Sequence, residues 1–382
     1  MDLFSYEKMN FYLPKHVRLF EAFSGIGTQA MALKRIGFKV EHVGFSEVDI
    51  HAIKSYKAIH GDVKNFGDIR DIDNIPLCDV FTWSFPCTDL SKAGKQKGLF
   101  GTRSGLAFEV IRILKSTNEK PRILLMENVP DLLSSKFRSG WHEIYNEIEL
   151  LGYKNYVEVL NAKHYGIPQN RVRVFMISIL GDYNYDFPKP FLLKNKLNSF
   201  LETNVDERFY LTEEHLKKIS LWKSNQNPLN NMLDIDSDVT PTLTARGAGE
   251  NHSGMILIRE LSKRGYSVGN NGDGVCLDRA FQKRGVVQKS MIQTIKTSGS
   301  DVGVIQNNRV RRITPLESWR LMGISDDDFQ KAQSICSNTQ LYKQAGNAIV
   351  VNVLSEIFRG FVRDDRLRIK VRKWFVILIR EK

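Results

Sequence analysis

The chain has 382 residues, with 55 Lys and Arg against 43 Asp and Glu, so its formal net charge is +12. A single hydrophobic core stops growing at roughly 250–300 residues, and we therefore expect two domains. No run approaches the roughly 18 apolar residues of a membrane span, and the start lacks the long apolar core of a signal peptide. These features predict a cytoplasmic protein with no membrane partner. The basic surplus favours a polyanionic partner, although a generally basic protein without one explains it equally well.

The four cysteines predict neither a zinc site nor a disulfide framework. Cys78, Cys87, Cys276 and Cys336 form no CxxC pair and have no His cluster nearby. Such isolated cysteines are typical of a reducing compartment.

The first predicted element is a short strand at residues 16–20, which runs into the sequence EAFSGIGTQAMALKRIGF. Gly25 and Gly27 lie in the turn, and apolar residues then recur at helical spacing. A strand, a glycine turn and a helix together suit a nucleotide, because the glycines let the backbone approach a ligand whose polar end meets the N–H groups of the helix. A tight turn without a ligand explains the pair of glycines equally well.

Two further strands are predicted at residues 40–49 and 78–85. The first ends near Glu47, at the distance after the glycines where an acidic residue binds ribose hydroxyls in nucleotide-binding α/β folds. The second stops at Pro86 and leaves Cys87 at its carboxyl end, where chemistry occurs in an open α/β sheet. For a cysteine considered alone, a buried inert thiol is favoured by about 4 to 1.

The next elements are a helix at 103–115 and a strand, PRILLMENVP, that ends in Glu127 and Asn128. Alternating strands and helices predict a doubly wound, mostly parallel sheet, with Glu127 at the same edge as Cys87. A helix at 142–153 precedes two β-like runs that we expect to pair antiparallel at one edge of the sheet. Arg171 and Arg173 share a face of the second run and suit a phosphate or a developing oxyanion.

Eight segments carry a resemblance to a known family. In chain order they are FEAFSGIG, the strand end at Glu47, GDI, SFPCTDLS, MENVP, QNRVRVF, RRITPLESWRLMGI and QAGNAIVVNV. Their order resembles that of the conserved blocks of DNA (cytosine-5)-methyltransferases, over about residues 17–180 and 309–357. The resemblance implies an S-adenosylmethionine-dependent methyltransferase fold, and it reverses the preference for an inert Cys87.

The resemblance also implies roles for individual residues. Cys87 would add to C6 of cytosine, Glu127 would act at N3 with help from Asn128, Arg173 would steady O2, and Arg171 would support a loop or a phosphate. The implied S-adenosylmethionine contacts are Phe23, Gly25, Ile26, Gly27, Glu47, Asp68, Ile69, Pro86, Leu106 and Asn347. Two positions depart from the family pattern: Thr88 stands where Gln is usual, and Val48 stands where an aromatic residue is frequent. Thr88 and Ser91 would lie near DNA, and Val48 would remove a stacking surface for adenine.

The resemblance divides the chain into segments. Residues 1–180 and 309–360 would form a discontinuous catalytic domain, and 181–308 a smaller, irregular, β-rich target-recognition domain. In the latter, Arg246, Arg264 and Arg284 are candidates for contacts to guanine, although for each one a solvated loop arginine is the alternative that we weight at about 60%. The tail at 361–382 has no assigned role.

The resulting hypothesis is an enzyme, acting as a monomer, that methylates C5 of a flipped-out cytosine in a specific double-stranded DNA sequence through a covalent Cys87–C6 bond. It would work in a bacterial or phage-infected cell, beside a separately acting restriction endonuclease or as a phage or orphan enzyme. Two alternatives stay open. One is an RNA-directed relative, which would have a shorter insert, and the other is a DNA-binding protein that has lost catalysis.

Overall fold

The computed structural model describes residues 10–86, 105–219, 256–263, 265–278, 285–299 and 301–363. The strands in these residues are β1 (His16–Ala22), β2 (Lys39–Ser46), β3 (Val80–Trp83), β4 (Ile123–Asn128), β5 (Tyr153–Asn161), β6 (Gln169–Asn170), β7 (Val172–Leu180), β8 (Ile256–Arg259), β9 (Tyr266–Gly269), β10 (Gly274–Cys276), β11 (Val287–Gln288), β12 (Ile292–Gln293), β13 (Val302–Gln306) and β14 (Arg309–Arg312). The helices are α1 (Thr28–Arg35), α2 (Ile50–His60), α3 (Leu106–Ser116), α4 (Arg138–Leu150), α5 (Glu213–Ile219), α6 (Pro315–Arg320), α7 (Asp326–Gln333), α8 (Asn338–Asn347) and α9 (Val351–Arg359). None of these helices is long and apolar enough to cross a membrane.

A six-stranded sheet has the order β2-β1-β3-β4-β7-β5. It forms the centre of the segments at 1–180 and 309–360 that are predicted to be catalytic, which we call the catalytic half. Strands β2, β1, β3 and β4 pair in parallel, whereas β7 runs antiparallel to both β4 and β5. The structure therefore confirms a mixed α/β fold with a mostly parallel sheet, and it confirms the antiparallel pair at the sheet edge.

Side chains alternate between the two faces of this sheet, and both faces are covered. Across β1, β3 and β4, paired residues fall into two separate buried clusters, with Leu19, Val80 and Ile123 in one and Phe20, Phe81 and Leu124 in the other. Burial on both faces explains why β3 and β4 are almost continuously apolar in sequence. Their polar residues are consequently concentrated at the carboxyl ends.

In the turn between β1 and α1, the backbone at Gly27 accommodates only glycine. Its φ of 77° lies in the left-handed region, and an added Cβ would lie 2.4 Å from Nε2 of His60. A residue with a side chain would therefore be both strained and too close to α2. The glycine brings the start of α1 against α2 at the edge of the sheet.

The described residues within 181–308, the segment that we call the insert, form most of a smaller β structure. Strands β11, β10, β13 and β14 form an antiparallel sheet, and β8 pairs with β9. Ile258, Val275 and Ile305 belong to a separate buried cluster. Val302 and Val304 of β13 instead lie in the large cluster that contains Leu19 and Val80. The last strand of this sheet ends at Arg312, beyond the predicted boundary at residue 308. Near the other predicted boundary, Tyr185 and Leu197 follow residue 180 but are buried in the large cluster of the catalytic half.

A buried ion pair lies where the chain returns from the insert to the catalytic half. Arg311 Nη2 lies 2.6 Å from Glu317 Oε1, and both side chains are fully buried. Glu317 also completes a capping box with Thr314 at the start of α6. Because a buried charge without its partner is costly, the pair fixes the direction in which the chain leaves the insert.

Candidate active site

A cavity of about 360 Å³ opens at the carboxyl ends of β1 to β4. Its lining includes four predicted catalytic residues, Glu127, Asn128, Arg171 and Arg173. It also includes nine of the predicted cofactor residues, namely Phe23, Gly25, Ile26, Glu47, Asp68, Ile69, Pro86, Leu106 and Asn347. Gly27 is not part of the lining, and its place is in the packing of α1 against α2. Segments distant in sequence thus meet in one cavity.

The Glu47 carboxylate is held by backbone N–H groups around the glycine turn. Gly25 donates to Oε2 over 2.9 Å, and Val48 and Asp49 donate to Oε1 over 2.8 and 2.9 Å. Three N–H donors fix a carboxylate in orientation as well as in position. Val48, which replaces the expected aromatic residue, also lines the cavity and is 69% exposed.

Asp68 and Ile69 form another part of the cavity wall. The Asp68 side chain caps a short 3-10 turn, and Arg70 Nε donates to its Oδ1 over 3.0 Å. The hydrogen bond from Arg70 holds the pKa of Asp68 below its usual range, with burial opposing it. Asp68 is therefore an ionised acceptor beside the apolar side chain of Ile69.

Glu127 and Arg173 face each other across β4 and β7. Arg173 Nε lies 3.0 Å from Glu127 Oε1, and the two side chains are 10% and 17% exposed, with the glutamate the less exposed. Burial raises the pKa of Glu127, while the charges of Arg173 and Arg171 oppose that rise. A glutamate of this kind keeps its proton to a higher pH than an exposed one, as a proton donor requires.

Asn128 connects the end of β4 to the segment before Cys87. Its Nδ2 donates to the carbonyl oxygen of Phe85 over 3.2 Å, and its Oδ1 accepts from the N–H of Val129 over 2.8 Å. The amide therefore fixes the backbone two residues before the predicted nucleophile.

Arg171 holds backbone carbonyls of other segments. It is 4% exposed, and its guanidinium donates to the carbonyl oxygens of Ile295, Gly346 and Ala348 over 3.1, 3.0 and 2.9 Å. The sequence left open a loop or a phosphate as its partner. These contacts favour the loop, because the guanidinium joins the insert to the returning chain.

Residues 17–363 match the model of the C-5 cytosine-specific DNA methylases. The chain belongs to this family. The resemblance found in the sequence is thereby confirmed, and the protein is a DNA (cytosine-5)-methyltransferase.

Individual relatives agree with the family assignment. The enzyme is 32% identical to the type II methyltransferase M2.ScrFI of Lactococcus lactis subsp. cremoris, over 91% of this chain and 100% of the relative. It is 31% identical to the orphan methyltransferase M.SPRI of Bacillus phage SPR, over 91% and 97% of the two chains. The S. pombe Dnmt2 methyltransferase has a similar fold, with a TM-score of 0.61 at 17% identity over 91% of this chain and 98% of that one.

Several predicted residues of the enzyme lie outside the described part of the chain. They are the nucleophile candidate Cys87 and the DNA-contact candidates Thr88, Ser91, Arg246, Arg264 and Arg284. Pro86, which immediately precedes Cys87, lines the cavity.

The cavity also contains polar residues that the sequence reasoning did not identify. Lys343 Nζ lies 2.5 Å from Asp49 Oδ2, and Gln344 Nε2 donates to Ser55 Oγ over 2.9 Å. Lys343 lies one helical turn before Asn347 on α8. That spacing was the available signal, because residues four apart on a helix share a face.

Proposed function

We propose that the enzyme transfers a methyl group from S-adenosylmethionine to C5 of a cytosine that is flipped out of a specific duplex DNA sequence, through a covalent bond between Cys87 Sγ and C6. The observation that carries the proposal is the single cavity shared by the predicted cofactor and catalytic residues. The family gives the reaction class, and the cavity gives residues that suit each step.

The residues of the cavity fit S-adenosylmethionine. An added Cβ at Gly25 would meet no atom within 4 Å, so the turn leaves open space beside it. The fixed Glu47 carboxylate suits ribose hydroxyls, and Asp68 and Ile69 suit the polar edge and the apolar face of an adenine. When bound, S-adenosylmethionine supplies an electrophilic methyl group.

The cytosine ring must be activated because its C5 is a poor nucleophile. The Cys87 thiolate forms a bond to C6, and the electrons of the C5–C6 double bond become available at C5. Glu127 donates a hydrogen bond or its proton to N3, which accepts the charge that would otherwise build up on the ring. After C5 is methylated, a base removes the C5 proton, the double bond re-forms and the thiolate leaves.

Arg173 and Asn128 position this chemistry. The Arg173 guanidinium lies against Glu127 and suits the cytosine O2, where negative charge develops. The hydrogen bond of Asn128 to the Phe85 carbonyl supports the backbone that leads into Cys87.

We assign duplex recognition to the insert at 181–308. Its proposed base contacts are Arg246, Arg264 and Arg284, and we assign further DNA contacts to Thr88 and Ser91, in the segment that follows the nucleophile. Arginine pairs bidentately with guanine in the major groove, which makes these residues suited to selecting a site.

The decisive experiment uses duplex DNA with 5-fluorocytosine at the target, where the C5 hydrogen that must leave is replaced. The wild-type enzyme is expected to form a denaturant-resistant adduct, and Cys87→Ser is expected to form none while still binding DNA. Bisulfite sequencing of DNA from cells that express the enzyme identifies the target for this substrate.

Cys276→Ser is the matched control, because Cys276 is buried in the insert and its thiol donates to Asp278, which a serine hydroxyl can also do. This variant should form the adduct as the wild type does. Methylation by Cys87→Ser within tenfold of the wild-type rate would overturn the assignment of the nucleophile.

A further inference from the structure

A short segment of the insert, residues 291–295, connects its small sheet to the core of the catalytic half. The carbonyl oxygen of Met291 accepts from the N–H of Gly274 in β10 over 3.0 Å. Ile292 and Ile295 are buried in the large cluster of the catalytic half. The segment is therefore attached to both parts of the molecule.

Two side chains of the catalytic half bind both polar groups of the Ile295 backbone. Gln169 Oε1 accepts from the N–H of Ile295 over 3.1 Å, and Arg171 Nη1 donates to the carbonyl oxygen of Ile295 over 3.1 Å. Gln169 is fully buried, and its Nε2 donates to the carbonyl oxygen of Leu321 over 2.8 Å. One amide thus joins the insert to the chain that returns from it, and its removal would leave buried backbone groups unpaired.

The same contacts lie beside the residues that we assign to catalysis. Arg171 lines the cavity, and Arg173, two residues further along the chain, lines it as well. Arg173 Nε lies 3.0 Å from Glu127 Oε1. By contrast, none of the described residues of the insert lines the cavity. The insert can therefore act on the catalytic pair through buried contacts of this kind or through the DNA that it holds.

Resting on the proposed function, we propose that Gln169 is a positioning residue that makes the chemical step sensitive to how DNA sits in the insert. By holding Ile295 next to Arg171, Gln169 fixes the insert relative to the Arg173–Glu127 pair. A cytosine presented by correctly seated DNA then meets this pair in line, whereas a displacement of about 1 Å lowers the rate about a hundredfold. Gln169 is buried and is not part of the cavity lining, so it acts through other residues and not by contact with DNA or cofactor.

The test measures adduct formation on two duplexes in a single turnover, with S-adenosylmethionine present and both DNAs saturating. One duplex carries 5-fluorocytosine in the recognised site, and the other differs from it by one base pair of that site, chosen so that the wild type still reacts measurably. Gln169→Met keeps the length of the side chain but neither hydrogen bond. It should lower the rate on the first duplex much more than on the second, so that the ratio of the two rates falls about tenfold. The dissociation constants for DNA and S-adenosylmethionine should stay within about twofold of the wild type, because Gln169 contacts neither ligand.

A milder variant decides the question if Gln169→Met does not fold. Thr294 Oγ1 donates to the carbonyl oxygen of Asn170 over 2.8 Å, at a partly exposed position beside the same contact. Thr294→Val keeps the shape of the side chain and removes this hydrogen bond. It should lower the same ratio about threefold, as expected for the loss of one neutral hydrogen bond.

Asn155→Leu is the control, because it removes a buried amide of the edge strand β5 that donates to the carbonyl oxygen of Tyr145 over 2.9 Å. It should lower stability without changing the ratio of the two rates. An unchanged ratio in Gln169→Met, or in Thr294→Val where Gln169→Met does not fold, would mean that these contacts only support the fold. A loss confined to DNA affinity would mean that they set binding alone, and either result overturns the inference. If the wild type formed no adduct on either duplex, the proposed function itself would fail, and the inference with it.

Discussion

Glu21 is a carboxyl group buried beneath the glycine turn, with no exposed surface. Tyr56 donates its hydroxyl to Oε2 over 2.6 Å, and the N–H of Ala30 donates to Oε1 over 3.3 Å. Burial raises the pKa of Glu21 to about 7, and the two hydrogen bonds only partly oppose that rise. The carboxyl is therefore partly protonated at neutral pH, next to the start of α1.

This shift predicts a pH-dependent contribution to stability. The folded pKa of Glu21 exceeds the usual 4.5, so the contribution is complete below pH 4.5 and is lost as the pH rises to about 7. The loss amounts to about 3 kcal/mol. As the pH rises from 4.5 to about 7, we expect the unfolding free energy of Glu21→Gln to increase by that amount relative to the wild type. Urea unfolding of both proteins at several pH values measures this difference.

Taking the difference between the two proteins removes an opposing effect. Burial lowers the pKa of His42 and of His60 to about 3. Both histidines therefore destabilise the folded protein as the pH falls below their usual pKa of 6.5. Glu41→Gln, which removes an exposed carboxylate from the neighbouring strand β2, is the control for the substitution itself. A difference for Glu21→Gln that did not vary with pH would show that folding does not raise the pKa of this carboxyl.

Helix α8 is the element that links the insert to the cavity. An added Cβ at Gly346 would lie 2.5 Å from the backbone nitrogen of Thr297, so the helix touches the insert backbone there. Lys343, Gly346 and Asn347 of the same helix line the cavity. A change at the contact between α8 and the insert would therefore alter the wall of the proposed cofactor site.

Gly346→Ala tests this link. Within a helix, alanine is favoured over glycine by about 1 kcal/mol, whereas overpacking against immobile atoms costs about 1–3 kcal/mol. The neighbours at Gly346 are backbone atoms, so we expect the steric cost to exceed the gain in propensity. Both the urea midpoint and the affinity for S-adenosylmethionine should fall. Thr339→Ala, at an exposed position of α8, is the control and should leave both unchanged. An unaltered midpoint in Gly346→Ala would show that the backbone of the insert moves easily to make room for the added methyl group.

The elements that the sequence predicted are those with continuous apolar patterns. Strand β4 and the antiparallel pair β5–β7 were identified because their residues are apolar over several positions. The parallel pair β6–β12 was not, since two-residue strands have no periodicity and their partners are far apart in the chain. The Lys343–Asp49 pair was missed for a similar reason, because a charged residue on a helix is usually solvated and only the tertiary contact shows otherwise.

At the scale of the whole molecule, the cavity is lined by segments that are far apart in the sequence. Strands β1 to β4 supply one wall, α8 supplies another, and the insert lies between them in sequence. DNA held by the insert would thus be presented to a site built by the segments on either side of it. The net charge of +12 favours phosphate contacts that hold DNA in place independently of its sequence.

The proposed mechanism requires a rearrangement of the DNA. In a duplex, C6 of cytosine is inside the base stack, where Cys87 cannot reach it, and rotating the base outward costs a few kcal/mol. Contacts to phosphates and to base edges must offset that cost. We therefore expect the affinity for duplex DNA to fall steeply with salt, in proportion to the number of phosphates contacted.

A mismatch opposite the target should increase affinity, because less pairing has to be broken before the base rotates. 2-Aminopurine at the target position should become brighter on binding as it leaves the stack, and a mismatch placed outside the recognised site is the control that should leave affinity unchanged. Each readout reports a different part of the same cost, since the mismatch reports pairing and 2-aminopurine reports stacking. If affinity did not respond to the mismatch and fluorescence stayed flat at a site that is still methylated, the enzyme would have to reach C6 without extruding the base, and the base-flipping account would be abandoned.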